Sequence, residues 1–132
     1  MFSNNIKVRY NETDKGGRVY HSNYLVWLDM TRTEFLRSLG ISYAKLEDEG
    51  IFIVVRKAEI EYLSSAEFDK TYTITIEKIV LDKIKLDFYY SVKDNITEKI
   101  IARAFTKLVV INEIGKPIKI PDHLKEKLQR FL

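Results

Sequence analysis

The stretch Glu12-Thr13-Asp14-Lys15-Gly16-Gly17-Arg18-Val19-Tyr20-His21-Ser22-Asn23-Tyr24 sets a carboxylate, a two-glycine turn and a histidine just ahead of a helical pattern. A carboxylate such as Asp14 can take a proton from water or attack a carbonyl directly. Taken alone, an aspartate in such a loop is more often a turn residue. Its neighbours change that reading. Gly16 and Gly17 permit positive φ and a close approach of backbone to ligand. A helix starting near Ser22 or Asn23 presents unpaired N–H groups and the positive end of its dipole. If the two converge, a carbonyl placed between them is both attacked and polarised, and one well-aimed oxyanion donor lowers the barrier by roughly 3–4 kcal/mol.

His21 has three candidate uses: orienting Asp14, holding water, or donating its backbone N–H to the carbonyl oxygen. The alternative is a loop histidine whose ring simply packs. Glu34 shares a helix stripe with Asn23, Trp27 and Met30. It either assists from the inner face or pairs with Arg37 or Lys57. His123 falls on the exposed side of a C-terminal helix and takes no role. A metal site is not expected, with two histidines, no cysteine and no His-x-x-x-His spacing. Gly-x-Ser-x-Gly, Gly-x-Gly-x-x-Gly and phosphate-loop motifs are also missing, which disfavours serine α/β-hydrolase and dinucleotide chemistry.

The elements that must position these groups follow from hydropathy. Ile6, Val8 and Tyr10 alternate with Lys7 and Arg9, as in a short strand. Residues 22–39 repeat at helical spacing, with Gly40 as the stop. Trp27 and Met30 lie on a different face from Leu25 and Leu36, so this helix is expected to be enclosed on most sides. Ser42 to Glu49 reads as a second helix closed by Gly50. Strand patterns cover Ile51 to Tyr62, Thr71 to Ile76, Ile84 to Val92 and Ile96 to Ile111, with hairpin breaks at Asp82-Lys83 and Asp94-Asn95. Ile118 to Ile120 adds a candidate last strand, and Pro121-Asp122 opens a helix carrying Leu124, Leu128 and Phe131. Strands gathered after one long helix make an α+β fold, a curved antiparallel sheet around that helix. Its long outer strands would expose unpaired edges unless a second subunit covers them.

The 132 residues read as one domain, 1–132. Twenty-two basic against 19 acidic residues leave +3, too little for a nucleic-acid stripe but compatible with an anionic small ligand. The absence of cysteine excludes a thiol nucleophile. No run approaches the roughly 18 apolar residues of a membrane span, and Met1 to Asn5 has no apolar signal core. A cytoplasmic protein is the expectation.

At this point the chain resembles a known family. Arg9-Tyr10-x-Glu12-Thr13-Asp14-x-x-Gly17-x-Val19-Tyr20-His21-x-Asn23-Tyr24, followed by Arg32-Thr33-Glu34-Phe35-Leu36, is similar to the hotdog-fold acyl-CoA thioesterases of the 4-hydroxybenzoyl-CoA thioesterase type. Within that type it most resembles the acyl-CoA thioesterases encoded beside the Tol-Pal envelope system. The resemblance extends through Gly40-Ile41-Ser42-Tyr43, Ile60 to Leu63 and Gly115-Lys116-Pro117. It implies a long central helix wrapped by a five- or six-stranded antiparallel sheet, paired into a homodimer or homotetramer. It implies hydrolysis of an acyl-CoA to a carboxylic acid and CoA, without metal or redox cofactor. Asp14 then matches the catalytic base or nucleophile, the His21 N–H the donor to the thioester oxygen, and Gly17 the glycine of close approach. Tyr24, Glu34, Arg56 and Lys57 are candidate substrate contacts, with Arg103 and Lys107 as further candidates for CoA phosphates. Arg18 stands where many relatives carry an apolar residue, and Ser64-Ser65-Ala66 where many carry Arg-Pro-Ala. Two other readings compete: a 3-hydroxyacyl-thioester dehydratase or hydratase pairing His21 with Glu34, and a non-catalytic acyl-thioester binding module. A regulatory member would carry an added DNA-binding segment, which the five residues before Ile6 do not provide.

Overall fold

The computed structural model of the protein describes residues 1–14 and 16–131. Five antiparallel strands form one sheet: β1 (Phe2–Lys7), β2 (Phe52–Tyr62), β3 (Thr71–Asp82), β4 (Lys85–Asp94) and β5 (Ile100–Ile111). Their spatial order is β1-β3-β4-β5-β2. The two strands flanking the long helix in sequence therefore end up at opposite edges. The helices are α1 (Ser22–Ser38), α2 (Tyr43–Asp48) and α3 (Asp122–Gln129). This is the α+β arrangement expected from the sequence. No helix among the described residues is long and apolar enough to cross a membrane.

Period-2 alternation places Tyr72, Ile74 and Ile76 of β3 with Leu86, Phe88, Tyr90 and Val92 of β4 on the core face, all buried. Bulges at Val55/Lys57 in β2 and Ile76/Lys78 in β3 reset that alternation. The second lets Ile79 return to the core after two exposed residues, Glu77 and Lys78. Trp27, Leu28, Thr31, Phe35 and Leu36 of α1 press onto this face. Trp27 stacks on Tyr72 with ring centroids 6.3 Å apart, and Phe35 meets Phe131 edge-on at 4.6 Å. Leu124 and Leu128 of α3 close the far end, both fully buried. Gly40, at φ 77°, ends α1.

Four sequence expectations are corrected. β1 stops at Lys7, because the chain then turns into a 3₁₀ segment at Tyr10–Glu12 and leaves Tyr10 77% exposed. β5 begins at Ile100 and not at Ile96. The Asp94 carboxylate accepts the N–H groups of Ile96 and Thr97, which stabilises a loop in place of a ladder. Ile118 to Ile120 make single backbone bonds to Val110 and Lys83, and a lone bridge at Pro117 replaces a strand. Lastly, α1 is enclosed on one side only: Leu25, Val26 and Met30 are 42%, 44% and 39% exposed. The sheet covers the face carrying Trp27 and Phe35, and among the described residues the face carrying Leu25, Val26 and Met30 stays open.

The loop bearing the candidate site is held to α1 by Glu12. Its side chain is almost wholly buried and accepts three hydrogen bonds: the Arg9 N–H at 2.8 Å, the Trp27 indole N–H at 2.7 Å and the Arg9 guanidinium at 3.4 Å. Burial pushes this carboxyl up, but the Arg9 and Trp27 hydrogen bonds and the Arg9 charge outweigh it, and the net result lies below 4.5. The Glu12 carbonyl also accepts from Tyr20 N–H at 2.9 Å and from the Asn23 amide at 2.8 Å.

Two stability predictions follow from this packing. A carboxyl lowered by folding contributes stability that is present above its ordinary value near 4.5 and lost as pH falls through the folded value. Glu12→Gln is therefore expected to cost about 2 kcal/mol at neutral pH. That difference should shrink steadily below about pH 4.5, as read by urea denaturation across the acid range. Leu128→Ala is expected to cost about 2–5 kcal/mol, whereas Lys125→Ala on the exposed side of α3 should stay within about 0.5 kcal/mol in the same assay.

Candidate active site

Local chain chemistry builds the site. Asp14 N–H donates to the Arg18 carbonyl at 2.8 Å, and Thr13 bridges Val19. Tyr20 N–H reaches Glu12, so residues 12–14 and 18–20 run as a tight antiparallel pair. Gly17 closes the turn at φ 74°, a left-handed backbone that only glycine adopts without strain. A Cβ there would meet nothing within 4 Å. The glycine is thus required by conformation, and the space over it is open. Gly16 does not share the positive φ; it is needed neither for strain nor for a close contact.

Asp14 is exposed. One carboxylate oxygen, Oδ1, accepts the Gly16 N–H at 2.9 Å, which ties the side chain to the turn. Asp14 follows Glu12, which pairs with Tyr20 just ahead of α1, by two residues, so the paired arms put it roughly 7 Å along the chain from that level.

The head of α1 supplies those donors. His21 already has helical φ and ψ, and it caps the helix without a side-chain hydrogen bond. Asn23 N–H bonds the Tyr20 carbonyl at 2.9 Å and Tyr24 N–H the His21 carbonyl at 3.3 Å. Among the described residues, the N–H groups of His21 and Ser22 have no acceptor. The His21 ring lies against Tyr20, centroids 4.4 Å apart, and makes no bond to Asp14. Of the three uses considered for His21, the backbone donor is the one this arrangement offers.

Sequence reasoning passed over two residues that set this geometry. Glu12, described above, was legible as a carboxylate three residues after Arg9 with an indole N–H to satisfy nearby. Tyr62 at the end of β2 donates its hydroxyl to the His21 carbonyl at 3.1 Å. Burial raises its ionisation, so it is a donor at neutral pH. Nothing in a strand pattern marks Tyr62, since its partner is forty-one residues away in the chain.

The remaining candidates fall elsewhere. Tyr24 is buried, with its hydroxyl accepting the Ala66 N–H at 3.0 Å and its ring against Trp27 and Tyr62. It fastens the Ser64-Ser65-Ala66 segment beneath the loop and offers no face to a ligand. Glu34 pairs with Arg37 on the exposed side of α1. At about 1.5 Å per residue it stands about 20 Å from His21, too far for the two to act on one substrate within one chain. Lys57 pairs with Glu59 at 2.9 Å. Arg56 and Lys57 lie about 16–20 Å along β2 from Tyr62 and so from this helix head. On β5, Lys107 stands in register with Lys57, whereas Arg103 is in register with Glu61, next to Tyr62. His123 is exposed, 3.7 Å from Glu49. A concavity of about 540 Å³ runs between β1 and α1 past Val26, Met30 and Glu34, and no residue of the Asp14 loop lines it. Among the described residues no cluster of histidine and acidic side chains could hold a metal ion.

Comparison with known proteins identifies relatives of this fold. The family model described as the thioesterase-like superfamily matches residues 8–128. The crystal structure of a hypothetical protein from Aquifex aeolicus superposes with a TM-score of 0.91 at 32% identity, covering 97% of this chain and 99% of that one. A DHNA-CoA thioesterase of Staphylococcus aureus gives a TM-score of 0.86 at 26% identity over 98% of this chain and 87% of that one. The acyl-CoA thioesterase YbgC of Haemophilus influenzae is 29% identical over 94% of this chain and 91% of its own length. The five-stranded antiparallel sheet packed on one long helix is the hotdog fold, and with a family match over nearly its whole length the chain belongs to the thioesterase-like superfamily.

Proposed function

We propose that this protein hydrolyses acyl-CoA thioesters to a carboxylic acid and CoA. The observation that carries the reading is the pairing of Asp14 with the two unpaired N–H groups of His21 and Ser22 on one braced loop, in a chain of the thioesterase-like superfamily. The thioester carbonyl oxygen takes the N–H groups at the head of α1, where the helix dipole adds to their pull on developing negative charge. Asp14 either removes a proton from the attacking water or attacks the carbonyl carbon itself; in the second case water then cleaves the resulting anhydride. The electrons of the broken C–S bond leave with CoA as thiolate, which is protonated from solvent. No step calls for a metal or a redox cofactor.

The finer placement is with the 4-hydroxybenzoyl-CoA type, in the Tol-Pal-associated subfamily, working in the cytoplasm as one domain over 1–132. It rests on the Asp-x-x-Gly-x-Val-Tyr-His core at residues 14–21. A homodimer or homotetramer belongs to the same reading. β2 is an eleven-residue edge strand, with Val54, Val55 and Tyr62 at 40%, 47% and 46% exposure. An edge of that length and apolarity invites a second copy, which would bury it and close the open side of the Asp14 site. Arg56 and Lys57, remote from their own helix head, would then face the partner's and become available to CoA phosphates.

A panel of acyl-CoAs followed by thiol release tests the activity. Asp14→Asn is expected to lower kcat at least about a hundredfold on the best substrate. The thermal midpoint should not move, because the side chain is exposed and holds only Gly16. Intact turnover in the variant would remove the mechanism, and tight binding without turnover by the unaltered protein would favour a binding module. Sedimentation should show a dimer or tetramer that Val55→Glu converts to a single chain, with loss of activity in parallel.

A further inference from the structure

We infer that Tyr62 is a positioning residue that aims and strengthens the Ser22 N–H donor at the head of α1. The inference rests on the thioesterase reading above and adds a residue to it. In a planar trans peptide the carbonyl of one residue and the N–H of the next point in opposite directions. The chain contains no cis peptide among its described residues. The His21 carbonyl and the Ser22 N–H are therefore one rigid unit, and whatever fixes the oxygen fixes the donor. Tyr62 reaches that oxygen with its hydroxyl at 3.1 Å. The companion unit is fixed in the same way: the Tyr20 carbonyl accepts Asn23 N–H at 2.9 Å, which aims the His21 N–H. Both free donors thus have their carbonyls held from within the helix, Tyr20 by Asn23 N–H and His21 by Tyr24 N–H at a longer 3.3 Å, and the His21 carbonyl is held from β2 as well.

The brace is itself held. The Tyr62 ring packs edge-on against Tyr24 at 5.0 Å, and the Tyr24 hydroxyl accepts the Ala66 N–H. Ala66 in turn accepts Val19 N–H at 2.9 Å through its carbonyl, which ties the brace to the loop carrying Asp14. A hydrogen bond to a peptide oxygen also polarises the N–H of the same unit, so Tyr62 increases the donor's strength as well as its direction. Because Tyr62 ends the edge strand, a second copy pairing along β2 would order the brace together with the interface.

Tyr62→Phe removes the hydroxyl and keeps the ring. With the fastest acyl-CoA of the panel, kcat is expected to fall about three- to tenfold with KM within about twofold. The thermal midpoint and the oligomeric state should be unchanged. The Ser22 amide is expected to shift in ¹⁵N-resolved NMR spectra of the substrate-free protein, since that nucleus responds to the hydrogen bond on the preceding carbonyl. Tyr62→Leu, which removes the ring too, should lower stability as well. Unchanged kcat together with an unmoved Ser22 amide in Tyr62→Phe would overturn the inference. So would a loss of activity accounted for by instability or by KM alone. A shifted Ser22 amide in a protein that turns over no acyl-CoA would leave the brace standing and reject the thioesterase reading.

Discussion

The buried carboxylate of Glu12 is the constraint on which the rest of the site depends. An ionised group with almost no exposure is costly unless donors meet both its oxygens. Here the Arg9 N–H, the Trp27 indole and the Arg9 guanidinium meet them. Trp27 is fully buried at the centre of the aromatic cluster on α1, so Glu12 is fastened to the most rigid part of the molecule. Two residues later the chain presents Asp14. The Asp14 carboxylate is exposed, and its position is inherited from one that is not.

The helix head is organised on the same plan. Side chains that do no chemistry decide where backbone groups point. The Asn23 amide and Tyr20 N–H both converge on the Glu12 carbonyl, so the start of α1 and the loop before it cannot move independently. Tyr24, Ala66 and Val19 tie the opposite arm of the loop to the turn before β3. From Tyr20 to Tyr24 the N–H groups of His21 and Ser22 are left without an acceptor among the described residues. Unpaired backbone donors are expensive when buried and serviceable when they open on a ligand.

The sheet order carries a further consequence. β1 and β2 lie at opposite edges, and α1 packs over the β1–β3 side. The core face of β2 is left thinly covered, and the side of α1 bearing Leu25 is open. Such exposure is uncommon for apolar residues gathered in one region unless something else covers them. The second copy proposed above would cover that region and enclose the exposed Asp14.

Much of this was legible in the sequence, because local rules determine it. Hydrophobic period located α1, the start of α3 and the existence of β2 to β5, although α3 ends at Gln129, short of Phe131. Gly40 and Gly50 marked stops through their tolerance of positive φ, and the spacing from Asp14 through Gly17 to His21 named the loop. These signals lie within a few residues of what they predict. The bounds of β1 and β5 were misread because the Glu12 clamp and the Asp94 carboxylate reward a turn where alternation alone suggests a strand. The enclosure of α1 was overestimated because an apolar face reports a preference for burial and does not say which chain supplies the cover. Tertiary structure alone decided that Glu34 belongs to Arg37, that Tyr24 is a fastening, and that Glu12 and Tyr62 aim the site. Those roles arise from contacts between residues far apart in the chain, which side-chain type permits but only the closed fold can bring within hydrogen-bonding distance.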